Sequence, residues 1–155
     1  MINRFGTLLL LLPLITACGG GEKTPEEQIR ELLDTGEQAV ESRSLSAVSP
    51  LLSDTYSGSY GQNKRAVMRL LAGYFVAHQS IHLLTQVSRL ELVGAQRAEV
   101  TLFVAVAGQP LSGVSQLLSM RADLIRLDLT LIAEQDEWRV LSGEWRRAEK
   151  SDFLE

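Results

Sequence analysis

Cysteine is almost missing from this 155-residue chain: Cys18 stands alone. A single thiol excludes an intrachain disulfide framework and leaves no cysteine pair for a structural metal. Histidine is nearly as scarce, with His78 and His82 the only two, and no set of ligands falls at metal spacing, so no metal site is expected. An excess of positive charge is also lacking. Fifteen lysines and arginines against 19 aspartates and glutamates give a net charge of −4. Without a basic run, nucleic acid is not an expected partner, and electrostatic docking on anionic lipid is not expected either. No glycine-rich phosphate loop occurs, because Gly19-Gly20-Gly21 follows no strand, and no cofactor is expected. No apolar run reaches the roughly 20 residues that a membrane-spanning helix needs. No internal repeat is seen, and the length suits one domain with a single substantial core.

What is present begins with a short apolar run, Thr7 to Ala17, behind Arg4 and broken by Pro13. A basic start, an apolar middle and small residues at the end mark an export signal. Leu14-Ile15-Thr16-Ala17-Cys18 resembles the lipobox of bacterial lipoproteins. That resemblance implies acylation of Cys18, a cut between Ala17 and Cys18, and membrane attachment through the acyl chains, several of which together anchor durably. Gly19 stands where aspartate would signal inner-membrane retention. The expected location is therefore the outer membrane, facing the periplasm. The expected organisation is a signal peptide over 1–17, a tether over 18–24, a folded domain over 25–150 and a tail over 151–155.

Thr24-Pro25-Glu26-Glu27 supplies a cap, a proline at the first helical position and a glutamate placed to close a capping box. Ile29, Leu32, Leu33, Gly36 and Val40 then recur at helical spacing, predicting a helix from Pro25 to about Ser42. Leu45, Val48, Leu51 and Leu52 predict a second, short helix limited by Pro50. Asp54 to Gln62, rich in serine, tyrosine and glycine, reads as a loop. A third helix, capped by Asn63, carries Val67, Leu70, Leu71, Tyr74, Phe75 and His78 on one stripe. The period then becomes two. Ile81, Leu83 and Val87 line one strand face, while Leu90 and Leu92 fall out of phase, which predicts a bulge near Ser88. Val100 to Val106 alternates cleanly, a longer connection follows over Gly108 to Gly113, and a third strand runs from about Leu118 to Ala133. Ile125, Leu127, Leu129 and Leu131 share one face of it, with Asp123 the polar exception. Trp138 to Arg146 reads as the last strand, its two tryptophans on opposite faces by parity. The expected fold class is α+β: three N-terminal helices packed on a bent, mainly antiparallel four-stranded sheet.

From Glu26 to Glu149 the chain resembles the nuclear transport factor two-like superfamily, the cystatin-like α+β cone. The carriers are the amphipathic first helix, Asp54-Thr55-Tyr56 after the short second helix, and the ending Glu137-Trp138-Arg139-Val140-Leu141. The resemblance implies a sheet wrapped around helices with a cavity for a small apolar ligand. The superfamily holds isomerases, dehydratases and epoxide hydrolases beside non-catalytic binding and dimerising domains, so the fold alone decides no activity. Asp54, Tyr56, Tyr74 and His78 are the pocket candidates, with Tyr60 and His82 as further polar groups near the same region. A tyrosine or histidine could donate to a developing oxyanion and a carboxylate accept a proton. The simpler reading of His78 is a helix-end residue satisfying terminal carbonyls, and that of the tyrosines is packing with a bonded hydroxyl. Arg126 and Asp128, with Glu144 on the next strand, resemble the arginine between two acids of the superfamily's epoxide hydrolases. Parity puts them opposite the aliphatic face, where a salt-bridged ladder is the simpler account. One tryptophan on the outer sheet face would make an apolar patch suited to a homodimer. No catalytic residue is assigned. A non-catalytic domain binding a small apolar ligand or a protein partner is the leading reading, an enzyme of this fold the second, and a structural assembly component the third.

Overall fold

The computed structural model describes residues 22–117, 119 and 121–154. The signal segment, Cys18 and most of the tether lie outside the described residues. The first helix, α1 (Pro25–Glu41), starts where its capping box dictates: Thr24 Oγ1 accepts from the Glu27 amide at 3.3 Å and Glu27 Oε2 accepts from the Thr24 amide at 2.8 Å. Ile29 on its inner stripe is fully buried. Ser44 caps the single turn α2 (Leu45–Val48), and a 3-10 turn over Ser49–Leu51 accommodates Pro50. Asn63 caps α3 (Lys64–Ala77), its side chain accepting from the Ala66 amide at 3.0 Å.

The sheet has five strands, not four: β1 (Leu52–Gly58), β2 (His82–Leu92), β3 (Arg97–Ala107), β4 (Asp123–Glu134) and β5 (Glu137–Arg147). Their order is β1-β5-β4-β3-β2, with β1 parallel to β5 and every other pair antiparallel. The sheet is therefore mixed. β1 lies in the segment read as a loop, because its pairing with β5 is parallel, irregular and distant along the chain, and gives no period-two apolar pattern. Its Ser53 is fully buried and satisfied by Glu134 Oε1 at 2.7 Å. A fourth helical turn, α4 (Val114–Leu117), lies just beyond the long connection, and β4 begins at Asp123 rather than near Leu118.

Two bulges set the sheet's faces. Between Val87 and Arg89 the β2–β3 register slips, as the phase change around Ser88 predicts, so Leu83, Thr85, Val87 and Leu90 all face the same side. The second slip separates Thr130↔Ser142 from Leu131↔Val140 in the β4–β5 pair, leaving Leu141 extra. It inverts the parity of β5 beyond that point. Trp138 opposes Ala133 and Trp145 opposes Leu127, both on the odd-numbered face of β4. The two tryptophans thus share the inner face, contrary to the parity reading, and neither supplies the expected apolar patch on the outer face.

α1, α2 and α3 cover the inner face. The closed end of the cone is packed solid by Ile29, Ala98, Val100, Leu131 and Trp138. On the outer face, α4 and a C-terminal 3-10 turn (Lys150–Phe153) cover a second core of Phe103, Ala105, Leu117, Ala148 and Phe153. Residues 151–154 are accordingly part of the fold and not a tail: Phe153 is buried against Phe103, ring centroids 5.7 Å apart. The rest of that face is polar. Asp128 accepts from Arg126 Nε and Nη2, each at 2.8 Å, and from Thr101 Oγ1 at 2.8 Å, a cross-strand ladder on the side away from the helices.

Candidate functional site: a cone-shaped apolar chamber

Between the helices and the inner sheet face lies a chamber of about 780 Å³. It exists because the two layers diverge away from the packed end. There Leu32, Leu33 and Val40 of α1, Leu71 of α3 and the aliphatic residues of β2, β3 and β4 line the space. Its walls are overwhelmingly aliphatic, as the inner-face alternation Leu102, Val104, Val106 and Ile125, Leu127, Leu129 requires. The volume falls within the roughly 300–1,000 Å³ of small-molecule sites.

Few polar groups reach it. Tyr56 of β1 lines the chamber, its ring lying over Gly58 and Gly143, which pair across the β1–β5 junction. Burial pushes the Tyr56 phenol up. Tyr74, one turn from the end of α3, also lines it; burial and then the negative charge of Asp123 raise its phenol. Asp123, Arg147, Thr85 and Glu37 complete the polar set, and Trp145, 60% exposed, stands at the open end. Asp123 and Arg147 share a neighbourhood by register: Val106 opposes Asp123, and Ile125, two residues along the same face, opposes Arg147.

The remaining candidates lie elsewhere. Asp54 is 87% exposed and bonded to Lys64 Nζ at 2.8 Å; that bond and the ammonium's charge hold its carboxyl below the usual range. Lys64 also donates to the Leu52 carbonyl at 2.9 Å, tying α3 to β1. His78 caps α3, stacks on Tyr74 with centroids 4.0 Å apart, and places Nδ1 2.9 Å from the Tyr74 carbonyl oxygen. Its ring lines a smaller annex of about 320 Å³ rather than the chamber itself. Tyr60 is fully exposed at a left-handed backbone position, φ 59°. His82 is 3.1 Å from Ser80 Oγ and belongs to the outer face, as its parity predicts. Arg126, Asp128 and Glu144, with Asp128 directly opposite Glu144, also lie on that outer face and do not reach the chamber.

Sequence reasoning passed over Asp123 and Arg147 as site residues. Asp123 was visible as the polar exception on an apolar face; Arg147 was hidden by the bulge at Leu141. Among the described residues, no group of three or more histidine, cysteine, aspartate or glutamate side chains could hold a metal ion. Neither tyrosine hydroxyl is hydrogen-bonded to a carboxylate or imidazole among the described residues.

Comparison with solved structures matches this arrangement. A candidate scytalone dehydratase from Novosphingobium aromaticivorans superposes with a TM-score of 0.66 at 11% identity, over 80% of this chain and 84% of that one. A candidate dehydratase of the NTF2-like family from Streptomyces avermitilis gives 0.64 at 17% identity, over 81% and 99%. A cystatin-like protein of unknown function from Nostoc punctiforme gives 0.60 at 10% identity, over 83% and 96%. The fold is NTF2-like. At these identities the likeness concerns the fold of the domain and not its chemistry. The sequence itself matches no family profile and no curated protein. In this NTF2-like domain the chamber occupies the space between the α-layer and the concave sheet, and Asp123, Tyr74 and Arg147 gather at its open end.

Proposed function

We propose that this protein is an envelope lipoprotein, anchored through acylated Cys18 to the outer membrane and facing the periplasm, whose NTF2-like domain binds a small apolar ligand without transforming it. The observation that carries the binding half is the chamber. It offers about 780 Å³ of aliphatic wall, and no bonded acid–base pair stands inside it. Binding needs an apolar space with a few orienting donors, which Tyr56 and Tyr74 supply. Proton transfer needs an acid and a base within about 3 Å of the reacting atom. The lipobox carries the anchoring half, and no described helix is long and apolar enough to cross a membrane.

Two measurements test the halves separately. Mass spectrometry of the protein from a bacterial envelope is expected to show a product beginning at acylated Cys18; an unmodified thiol or another cut removes the anchor. Fluorescence of an apolar dye such as diphenylhexatriene is expected to rise on mixing with the protein and to be displaced by apolar molecules. No rise would remove the ligand. A second reading draws on Asp123 and Tyr74 lying together at the chamber's open end, in a fold shared with candidate dehydratases: a dehydratase or isomerase with Asp123 as base and Tyr74 as donor. Turnover of a bound hydroxylated substrate, lost in Asp123→Asn, would favour it over pure binding.

A further inference from the structure

The chamber and the annex share four residues as common walls: Tyr74, Val106, Ala122 and Asp123. The first space is aliphatic; the second is lined by Tyr74, His78, Ser80, Arg121 and Asp123. An apolar volume thus adjoins a more polar one. At about 30 Å³ for a water-sized group, the chamber's 780 Å³ admits roughly two dozen such groups. That accommodates a long alkyl chain.

The charges around this junction are balanced. Arg147, Asp123 and, from α1, Glu37 line the chamber, and Arg121 lines the annex with Asp123. None of the four makes an ion pair among the described residues. Asp123 and Arg147 sit diagonally on adjacent strands, a relation that separates Cβ atoms by about 7–8 Å, so a group between them can meet both. A carboxylate head would satisfy the arginines and be opposed by Asp123 and Glu37. An ammonium head would meet the reverse conflict. A head carrying both signs satisfies all of them, with Tyr74, Ser80 and His78 adding hydrogen bonds.

We infer that the site takes an amphiphile with a zwitterionic head, its tail in the aliphatic chamber and its head around Asp123, between Arg121 of the annex and Arg147 of the chamber. The inference rests on the binding reading above and specifies its ligand class. The test uses the purified protein with diphenylhexatriene bound, displaced by dodecylphosphocholine, dodecanoate or dodecanol below their micelle or solubility limits. The same titrations are run on Arg121→Gln, Asp123→Asn and Arg147→Gln. Charge-assisted contacts at a solvated mouth are worth about a five- to tenfold change in affinity. Dodecylphosphocholine is expected to displace the dye at about that factor lower concentration than dodecanol or dodecanoate. Each substitution is expected to erase part of the advantage, read as the ratio of dodecylphosphocholine to dodecanol displacement, which a change in dye affinity alone does not move. Equal displacement by all three chains overturns the inference, as does preference for dodecanoate. A ratio that stays at the unsubstituted protein's value in all three variants also overturns it, since the head would then not meet these charges. Failure of the dye to bind at all would sink the parent binding reading instead.

Discussion

Gly58→Ala is the substitution that asks most directly how the chamber is held open. Gly58 has φ −99° and ψ −172°, an extended conformation that any residue adopts. Its backbone therefore does not require glycine, and alanine there should gain about 0.5–1 kcal/mol by restricting the unfolded chain. A Cβ at this position, however, would come within 2.7 Å of Tyr56 Oη, 3.0 Å of Cε1 and 3.2 Å of Cζ. The paired Gly143 is nearly as tight, at 3.0 Å from the same hydroxyl and 3.2 Å from Leu129 Cδ2. The Tyr56 ring must then lift off the sheet into the chamber, an overpacking cost of about 1–3 kcal/mol. Net destabilisation should be about 0–2.5 kcal/mol, the difference between those two terms. In a Tyr56→Ala background the obstacle is gone, and the same Gly58→Ala change should become stabilising by about 0.5–1 kcal/mol. Tyr56→Phe, which removes only the nearest atom, should fall between. Urea denaturation of the single and double variants measures the coupling directly, and each kcal/mol should move Tm by roughly 4 °C. An equal cost of Gly58→Ala with and without the Tyr56 ring would refute the claim that two glycines form the seat of this side chain. Dye binding gives a second readout, because a displaced ring occupies chamber volume.

Other expectations follow from the two ends of the cone and from its outer face. Leu131, fully buried at the packed end, should cost about 2–5 kcal/mol on truncation to alanine. Leu127, on the same strand face but lining the chamber, should cost only about 1–2 kcal/mol because part of its surface has no partner to lose; equal losses in urea melts would argue against an open chamber. Trp138 is buried and Trp145 stands at the chamber's mouth, so ligand binding should shield Trp145 from acrylamide, and a quenching curve unchanged in the presence of ligand would contradict the placement. The bonds from Arg126, and after them from Thr101, hold the Asp128 carboxyl below its usual range. The folded value is thus the lower one, so the stabilisation is full above about pH 4 and is lost as the pH falls through the folded value. Since the pair is half exposed, the effect should be no more than about 0.2–1 kcal/mol, and Asp128→Asn should flatten that acid limb of the stability curve; an unchanged limb would show that the ladder is energetically idle.

Much of the frame was legible because its signals are local. The Thr24–Glu27 box and the Asn63 cap each satisfy donors within one turn, so a few adjacent residues announce them. The bulge at Ser88 announces itself because both flanking segments are strongly apolar and out of phase, and only a slip puts Val87 and Leu90 on one face. β1 could not be read that way. Its stability comes from a parallel partner far along the chain and from a buried serine bonded to Glu134, neither of which leaves a periodic trace. The final turn was similarly silent. Phe153 sits among charged residues near the terminus, and only the exposed end of the outer face, with Phe103 on it, explains why it folds back.

The half of the site carried by β5 was hidden for a sharper reason. Val140 and Leu141 are both aliphatic, so nothing in composition says which of the two is the extra residue in the ladder. Without the slip, strict alternation sends Trp145 and Arg147 to the face opposite Trp138, and the chamber has no cation. With it, Arg147 turns inward beside Asp123, and the open end gains unpaired charges of both signs. The consequence is chemical as well as geometric. Asp54 and His78, the carboxylate and imidazole among the pocket candidates, lie respectively on the solvent side of β1 and in the annex. The groups that can orient a ligand's polar end are instead Tyr74, Asp123 and Arg147. One unpaired residue in a strand thus decides whether the cavity is a purely greasy cone or an apolar chamber with a charged mouth. Deleting Leu141 should remove the bulge without changing which residues pair, so Trp145 stays opposite Leu127 and Arg147 opposite Ile125 on the inner face. If a Leu141 deletion folds yet leaves Trp145 unprotected by ligand, Leu141 is not the extra residue that sets this face.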